Sequence, residues 1–236
     1  MDSDWAPDFV LRYVLNILEE YNCRATLFMT GPFAGTVNED ALELGIHPNF
    51  MSGSTHGEGI NEILSTLKRD VPAAVGVRTH GLYWFQGLIS EFRRHHLSYD
   101  SSLFLPLQAV GAPSRYEQLT RYPIWWGDCF HMMEGLPLNR LDIPNWNSPG
   151  MKVLNFHPIH VYLNSRTMGG YREVMSNINA YPLAREDELS DCRSLGDGIE
   201  SLLRRILDSV MASQSETFTL KSLEQTRREH AHECAD

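Results

Sequence analysis

The sequence has no C-x-x-C pair: its four cysteines, Cys23, Cys129, Cys192 and Cys234, lie far apart. That excludes a zinc ribbon and a thioredoxin-type motif, and scattered thiols in a chain of 236 residues point to reduced cysteines rather than a disulfide framework. A basic block is also missing. Twenty Lys and Arg against thirty Asp and Glu give a formal net charge of −10, which argues against nucleic acid or an anionic membrane surface as partner. No apolar run approaches the roughly 18 residues of a membrane span. The opening Met1-Asp2-Ser3-Asp4-Trp5 lacks the basic and apolar regions of a secretory signal, so a cytoplasmic location is expected. There is no internal repeat and no low-complexity linker. The 42% of hydrophobic residues is ordinary for a globular chain and excludes intrinsic disorder.

Periodicity supplies the elements. Phe9, Val10, Tyr13, Val14, Ile17 and Leu18 recur at helical spacing behind Pro7 and Asp8, which suit a first helical turn. Similar spacing predicts helices over 60–70, 88–96 and 199–210. Short apolar runs bounded by Gly, Pro or polar residues predict strands over 25–30, 43–47, 74–78, 99–105, 119–126 and 151–156, and a last one at Phe218. The stretches 144–150 and 164–194 read as loops, and the polar tail 224–236 as a fraying end after a single domain over residues 1–223. Strands alternating with helices argue for an α/β fold on a parallel sheet or barrel.

Polar residues gather at the ends of those strands. His47, Arg78, Asp128 and His157 each follow one, and carboxyl ends of parallel strands open on one face. Asp2 and Asp4 are one residue apart. If extended, their carboxylates share a face about 7 Å apart, so one could bind a cation while the other accepts a proton. The competing reading is a helix N-terminal charge group with Asp8. His47 and His56 form the candidate imidazole pair, since two neutral imidazoles and a carboxylate suit zinc or another divalent transition ion.

Asp2-Ser3-Asp4-Trp5, Glu43-Leu44-Gly45-Ile46-His47, Val77-Arg78-Thr79-His80-Gly81 and Leu154-Asn155-Phe156-His157-Pro158 follow in the order of the motifs of polysaccharide deacetylases. Over roughly residues 2–164 the chain resembles that superfamily, carbohydrate esterase family 4, in a divergent branch associated with surface polysaccharides. The resemblance implies a distorted (β/α) barrel of seven or eight strands, with the first truncated because only Met1 precedes Asp2. It implies Asp2 as general base, Arg78 as the group orienting it, and His157 as general acid. It implies a metal, zinc first among candidates, held by Asp4, His47 and a second histidine. The family places that histidine four residues after the first, where this chain has Met51; His56 is the substitute. Thr79-His80-Gly81 stands where the family has Pro-Pro-Tyr. Asp128 with Trp125 or Trp126 answers to the groove motif, and Trp84, Trp125, Trp126 and Asp128 are candidate substrate contacts.

The expected activity is metal-dependent hydrolysis of an N-acetyl group on a sugar or polysaccharide, so the expected partner is an N-acetylated carbohydrate. The alternatives are deacetylation or deformylation of a nucleotide sugar or other amide, and a carbohydrate-binding protein whose metal site has decayed.

Overall fold

The computed structural model describes residues 1–116, 118–178 and 181–233, for 230–233 the backbone alone. In chain order the elements are α1 (Asp8–Glu20), β1 (Ala25–Met29), β2 (Leu42–Ile46), α2 (Ile60–Asp70), β3 (Gly76–Val77), α3 (Leu88–Arg94), β4 (Tyr99–Asp100), β5 (Ser114–Tyr116), β6 (Leu119–Arg121), β7 (Ile124–Gly127), α4 (Asp128–Met133), β8 (Val153–Asn155), α5 (Pro158–Tyr162), α6 (Met168–Asn177), α7 (Glu186–Ser190), α8 (Ile199–Ala212) and α9 (Leu220–Glu233). Among the described residues, one sheet runs β1-β2-β3-β4-β6-β5 and a second pairs β7 with β8. Every pairing is parallel except β5 with β6. The fold is therefore α/β on a parallel sheet, with strand carboxyl ends sharing one face.

Burial follows the pattern of the sequence. α1 buries Val10, Leu11, Val14, Ile17 and Leu18, and α8 buries Ile199, Leu202, Leu203, Ile206 and Leu207. Each such side chain contributes on the order of 1.5–3 kcal/mol when fully withdrawn from water. β1 and β2 are apolar almost throughout, as strands covered on both faces must be. A Cβ on Gly76 would fall 1.9 Å from Tyr99 Cζ. Its absence lets Tyr99 cross β3 and donate to Glu43 Oε1 at 2.6 Å.

Hydrogen bonds also link the two sheets. Asp2 N donates to Phe156 O (3.0 Å), Ser3 N to Phe28 O (2.9 Å) and Phe28 N to Met1 O (2.9 Å). Residues 1–3 thus lie between β1 and the end of β8. On the other side Phe104 bridges Ile124, with Leu105 N donating to Ile124 O at 2.9 Å.

Four sequence expectations are corrected. The run 119–126 is two strands: Pro123 has no N–H to extend the ladder, so β6 joins one sheet and β7 the other. The stretch 164–194 contains α6 and α7 rather than loop alone, α6 opening on Thr167, whose hydroxyl accepts from Gly170 N. Phe218 starts no strand: Thr219 Oγ1 accepts from Ser222 N at 3.0 Å and caps α9. Of the tail, residues 224–233 continue that helix, and Glu224 is buried, accepting from Tyr122 Oη at 3.1 Å. Cys23, Cys129 and Cys192 are free, and Cys234 lies outside the described residues. No described helix is long and apolar enough to cross a membrane.

Candidate active site

Asp2 hangs between β1 and β8, and Arg78 follows β3. Both are almost fully buried. Arg78 Nη1 donates to Asp2 Oδ1 at 2.9 Å and to Asn155 Oδ1 at 2.6 Å, while Asn155 Nδ2 donates to Asp2 Oδ2 at 2.7 Å. The remaining guanidinium donors reach Ser101: Nε its carbonyl (3.0 Å) and Nη2 its hydroxyl (2.8 Å). Burial opposes ionisation of Asp2, but Arg78, then His47, outweigh it, and the carboxyl is held well below the usual range. Removing the cation would leave that carboxylate buried and unpaired. Arg78→Met is accordingly expected to cost about 3–5 kcal/mol of stability, read as a drop in the urea unfolding midpoint.

Asp4 meets His47 and His80. Its Oδ1 is 3.1 Å from His47 Nε2 and 2.9 Å from His80 Nδ1. Asp4 and Trp5 adopt left-handed backbone (φ 43° and 56°), a conformation that costs about 1–3 kcal/mol per non-glycine residue. The loop is held by Thr30: its Oγ1 accepts from Trp5 N (2.8 Å) and its N donates to Ser3 Oγ (2.9 Å). That turn, rather than an extended strand, aims Asp4 at the imidazoles. His47 Nδ1 lies 2.6 Å from the Arg78 carbonyl. A carbonyl only accepts, so Nδ1 carries the proton, and in the neutral ring Nε2 turns its lone pair toward the Asp4 carboxylate. With that ring neutral two acceptors face each other, an arrangement that a cation between them resolves; with it charged, Nε2–H donates to Asp4 instead. Asp4, His47 and His80 are one of two such donor groups among the described residues.

His56 does not join them. Its Nε2 lies 2.9 Å from Thr30 O and its Nδ1 accepts from Asn49 N at 3.2 Å, so backbone takes both ring nitrogens. The second imidazole beside Asp4 is His80, on the short helical turn after Arg78. Met51, where the family's second histidine would fall, is exposed and lies against Gly81.

His157 follows β8 and closes the site. Its Nδ1 is 2.7 Å from Asp128 Oδ1, and its backbone N donates to Asp128 Oδ2 at 2.6 Å. Nε2 faces inward, 3.6 Å from Asp4 Oδ2 and 3.9 Å from Asp2 Oδ2. Burial disfavours its charge, but Asp128 overcomes this and raises the imidazole well above its ordinary value. The pair therefore stabilises the fold fully below the ordinary histidine value, and this stabilisation fades as pH rises through the raised one. Asp128→Asn removes the chief raising charge. Any activity that needs charged His157 should lose its alkaline limb at lower pH in that variant than in the parent, as a pH–rate profile would read.

Asp128 is fully buried, so it positions His157 and is no substrate contact. Trp125 and Trp126 are likewise core residues, 1% and 0% exposed, with no face left for a sugar. Trp84 is half-buried, and the Arg121 guanidinium covers its ring at 3.7 Å. Two residues of the site went unassigned from sequence. His80 stands within the triplet that departs from the family pattern. Asn155 sits two before His157, and the alternation of a strand puts both on one face.

The parallel sheet and the polar residues gathered at its carboxyl ends define an α/β protein with a candidate active site on that face. Residues 1–175 match the family model described as WbmS-like polysaccharide deacetylase, and the chain belongs to that family. It is thus a hydrolase acting on amide bonds, and deacetylation of a polysaccharide is the reaction of its family. A solved structure from Bordetella bronchiseptica, described as a candidate polysaccharide deacetylase involved in O-antigen biosynthesis, is 29% identical. The alignment covers 88% of each chain with a TM-score of 0.76. A candidate polysaccharide deacetylase from Mycobacterium smegmatis aligns at 15% identity over 88% of this chain and 79% of the other, with a TM-score of 0.39, too slight a likeness to bear on fold or function. No curated protein matches the chain significantly.

Proposed function

We propose that this chain removes an N-acetyl group from an amino sugar of a polysaccharide, using a divalent metal ion held by Asp4, His47 and His80. The observation that carries the proposal is the Asp4 carboxylate set between His47 Nε2 and His80 Nδ1, three donor atoms within 4.8 Å of one another. One carboxylate and two imidazoles suit zinc foremost. When bound, such an ion supplies Lewis acidity, making water a better nucleophile and polarising the amide carbonyl. Asp2, kept ionised by Arg78 and oriented by Asn155, accepts the proton of the attacking water. His157, kept charged by Asp128, delivers a proton from Nε2 to the departing sugar amine.

The same reading takes the chain through α9 as one catalytic domain, since that helix crosses residue 223 and buries Glu224, and the two sheets as parts of a distorted barrel of seven or eight strands. It is supported by the hydrogen bonds of residues 1–3 to both β1 and Phe156, and by the Phe104–Ile124 bridge. Incubation with N-acetylated oligosaccharides and with acetylated and formylated nucleotide sugars tests the function. Acetate and free amine should appear with the oligosaccharides and stop on chelation. Formate alone, nucleotide-sugar turnover alone, or sugar binding without turnover would overturn it.

A further inference from the structure

Behind His157 lies a second donor group, Cys129, His157 and His160, drawn from α4, the end of β8 and α5. Cys129 Sγ is 3.7 Å from His157 Nδ1 and 3.5 Å from His160 Nε2. A tetrahedral ion with bonds of about 2.3 Å to sulfur and about 2.0–2.1 Å to nitrogen separates such donors by about 3.6 Å. The two sulfur–nitrogen spacings match that figure, and all three donor atoms lie within 4.8 Å of one another. His160 is buried, and its Nδ1 is 3.2 Å from Ser165 Oγ. With Nδ1–H donating to that hydroxyl, Nε2 presents its lone pair to Cys129. Burial pushes the imidazole down to about 4, so it is neutral and able to coordinate.

We infer that Cys129, His157 and His160 form a second, inhibitory site for a soft divalent ion such as zinc or cadmium. Thiolate and imidazole donors select that class over magnesium or calcium. Binding forms one bond to Cys129 Sγ, one to His160 Nε2 and one to His157 Nδ1. The thiol proton and the Nδ1 proton leave to solvent, and the hydrogen bond to Asp128 breaks. His157 keeps only its Nε2 proton, on a neutral ring that no longer serves as an acid. The inhibitory half rests on the proposed role of His157; the binding half does not. The competing arrangement is a plain hydrogen bond from the Cys129 thiol to His160 Nε2.

Cadmium titration of the full chain separates the two, read by ultraviolet thiolate-to-cadmium absorption and by equilibrium dialysis. Asp4→Ala, which lacks the first site, should still bind about one equivalent and develop the band. Cys129→Ala should show no band, and His160→Gln should need at least about tenfold more cadmium, as loss of a site's donor or supporting group typically demands. Absence of the band in Asp4→Ala, or its survival undiminished in Cys129→Ala, would overturn the site. With the band in place, excess cadmium should suppress turnover of the parent, and of Cys129→Ala far less, each relative to its own starting rate. Equal suppression of both would overturn the inhibitory role while leaving the site and the deacetylase reading standing.

Discussion

Asp4→Ala and His80→Ala are each expected to lose bound metal and, with it, turnover. Asp4 Oδ1 touches both imidazoles, so its removal takes away the only anionic donor of the group. Partners that merely support a metal ligand are worth about 10–100-fold in affinity, so deleting a ligand should cost at least about 100-fold. His56→Gln is the contrasting variant. His56 spends both nitrogens on backbone partners, so its loss should loosen the loop between Thr30 and Asn49 yet leave metal content unchanged. Elemental analysis of the three purified proteins gives the result. Full metal in His80→Ala with none in His56→Gln would restore the assignment drawn from sequence and refute the one drawn from geometry.

His157→Ala is expected to keep its metal and lose about 10²- to 10⁴-fold in kcat, the usual contribution of a positioned general acid. Nε2 lies between the two aspartates rather than within the Asp4, His47, His80 group, so coordination is spared. Asp128→Asn should act in the same direction but less severely, through the lowered charge of His157. A His157→Ala protein that loses metal in step with activity would make His157 a ligand and leave the reaction without its acid.

The legible part of this fold was its amphipathic helices and its buried strands. α1, α2, α3 and α8 announce themselves by spacing, because a helix packed on a sheet must turn one stripe inward. β1 and β2 read as short apolar runs for the complementary reason. What failed was context. Pro123 marks a break in the strand but not that the chain changes sheets there, and Thr219 looks as much like a strand residue as a helix cap. Within the site, His47, Arg78 and His157 fell at predictable strand ends, Asp2 and Asp4 stood in the opening motif, and the structure brings all five together. His56 is the next histidine after His47 along the chain. Distance along the chain is a poor guide, because β2 and β3 are parallel neighbours with Ile46 paired to Val77, which brings His80 to His47 across 33 residues. The tryptophans misled for another reason. Aromatic residues next to polar ones fit a sugar platform, but β7 is buried along its whole length, Trp125 and Trp126 included.

The most direct measurement is an anomalous difference map from a crystal soaked in zinc. A peak within coordination distance of Asp4 Oδ1, His47 Nε2 and His80 Nδ1 is the predicted result. Zinc bound to the crystal with no peak among those three atoms, or a peak bounded by His56, would contradict it.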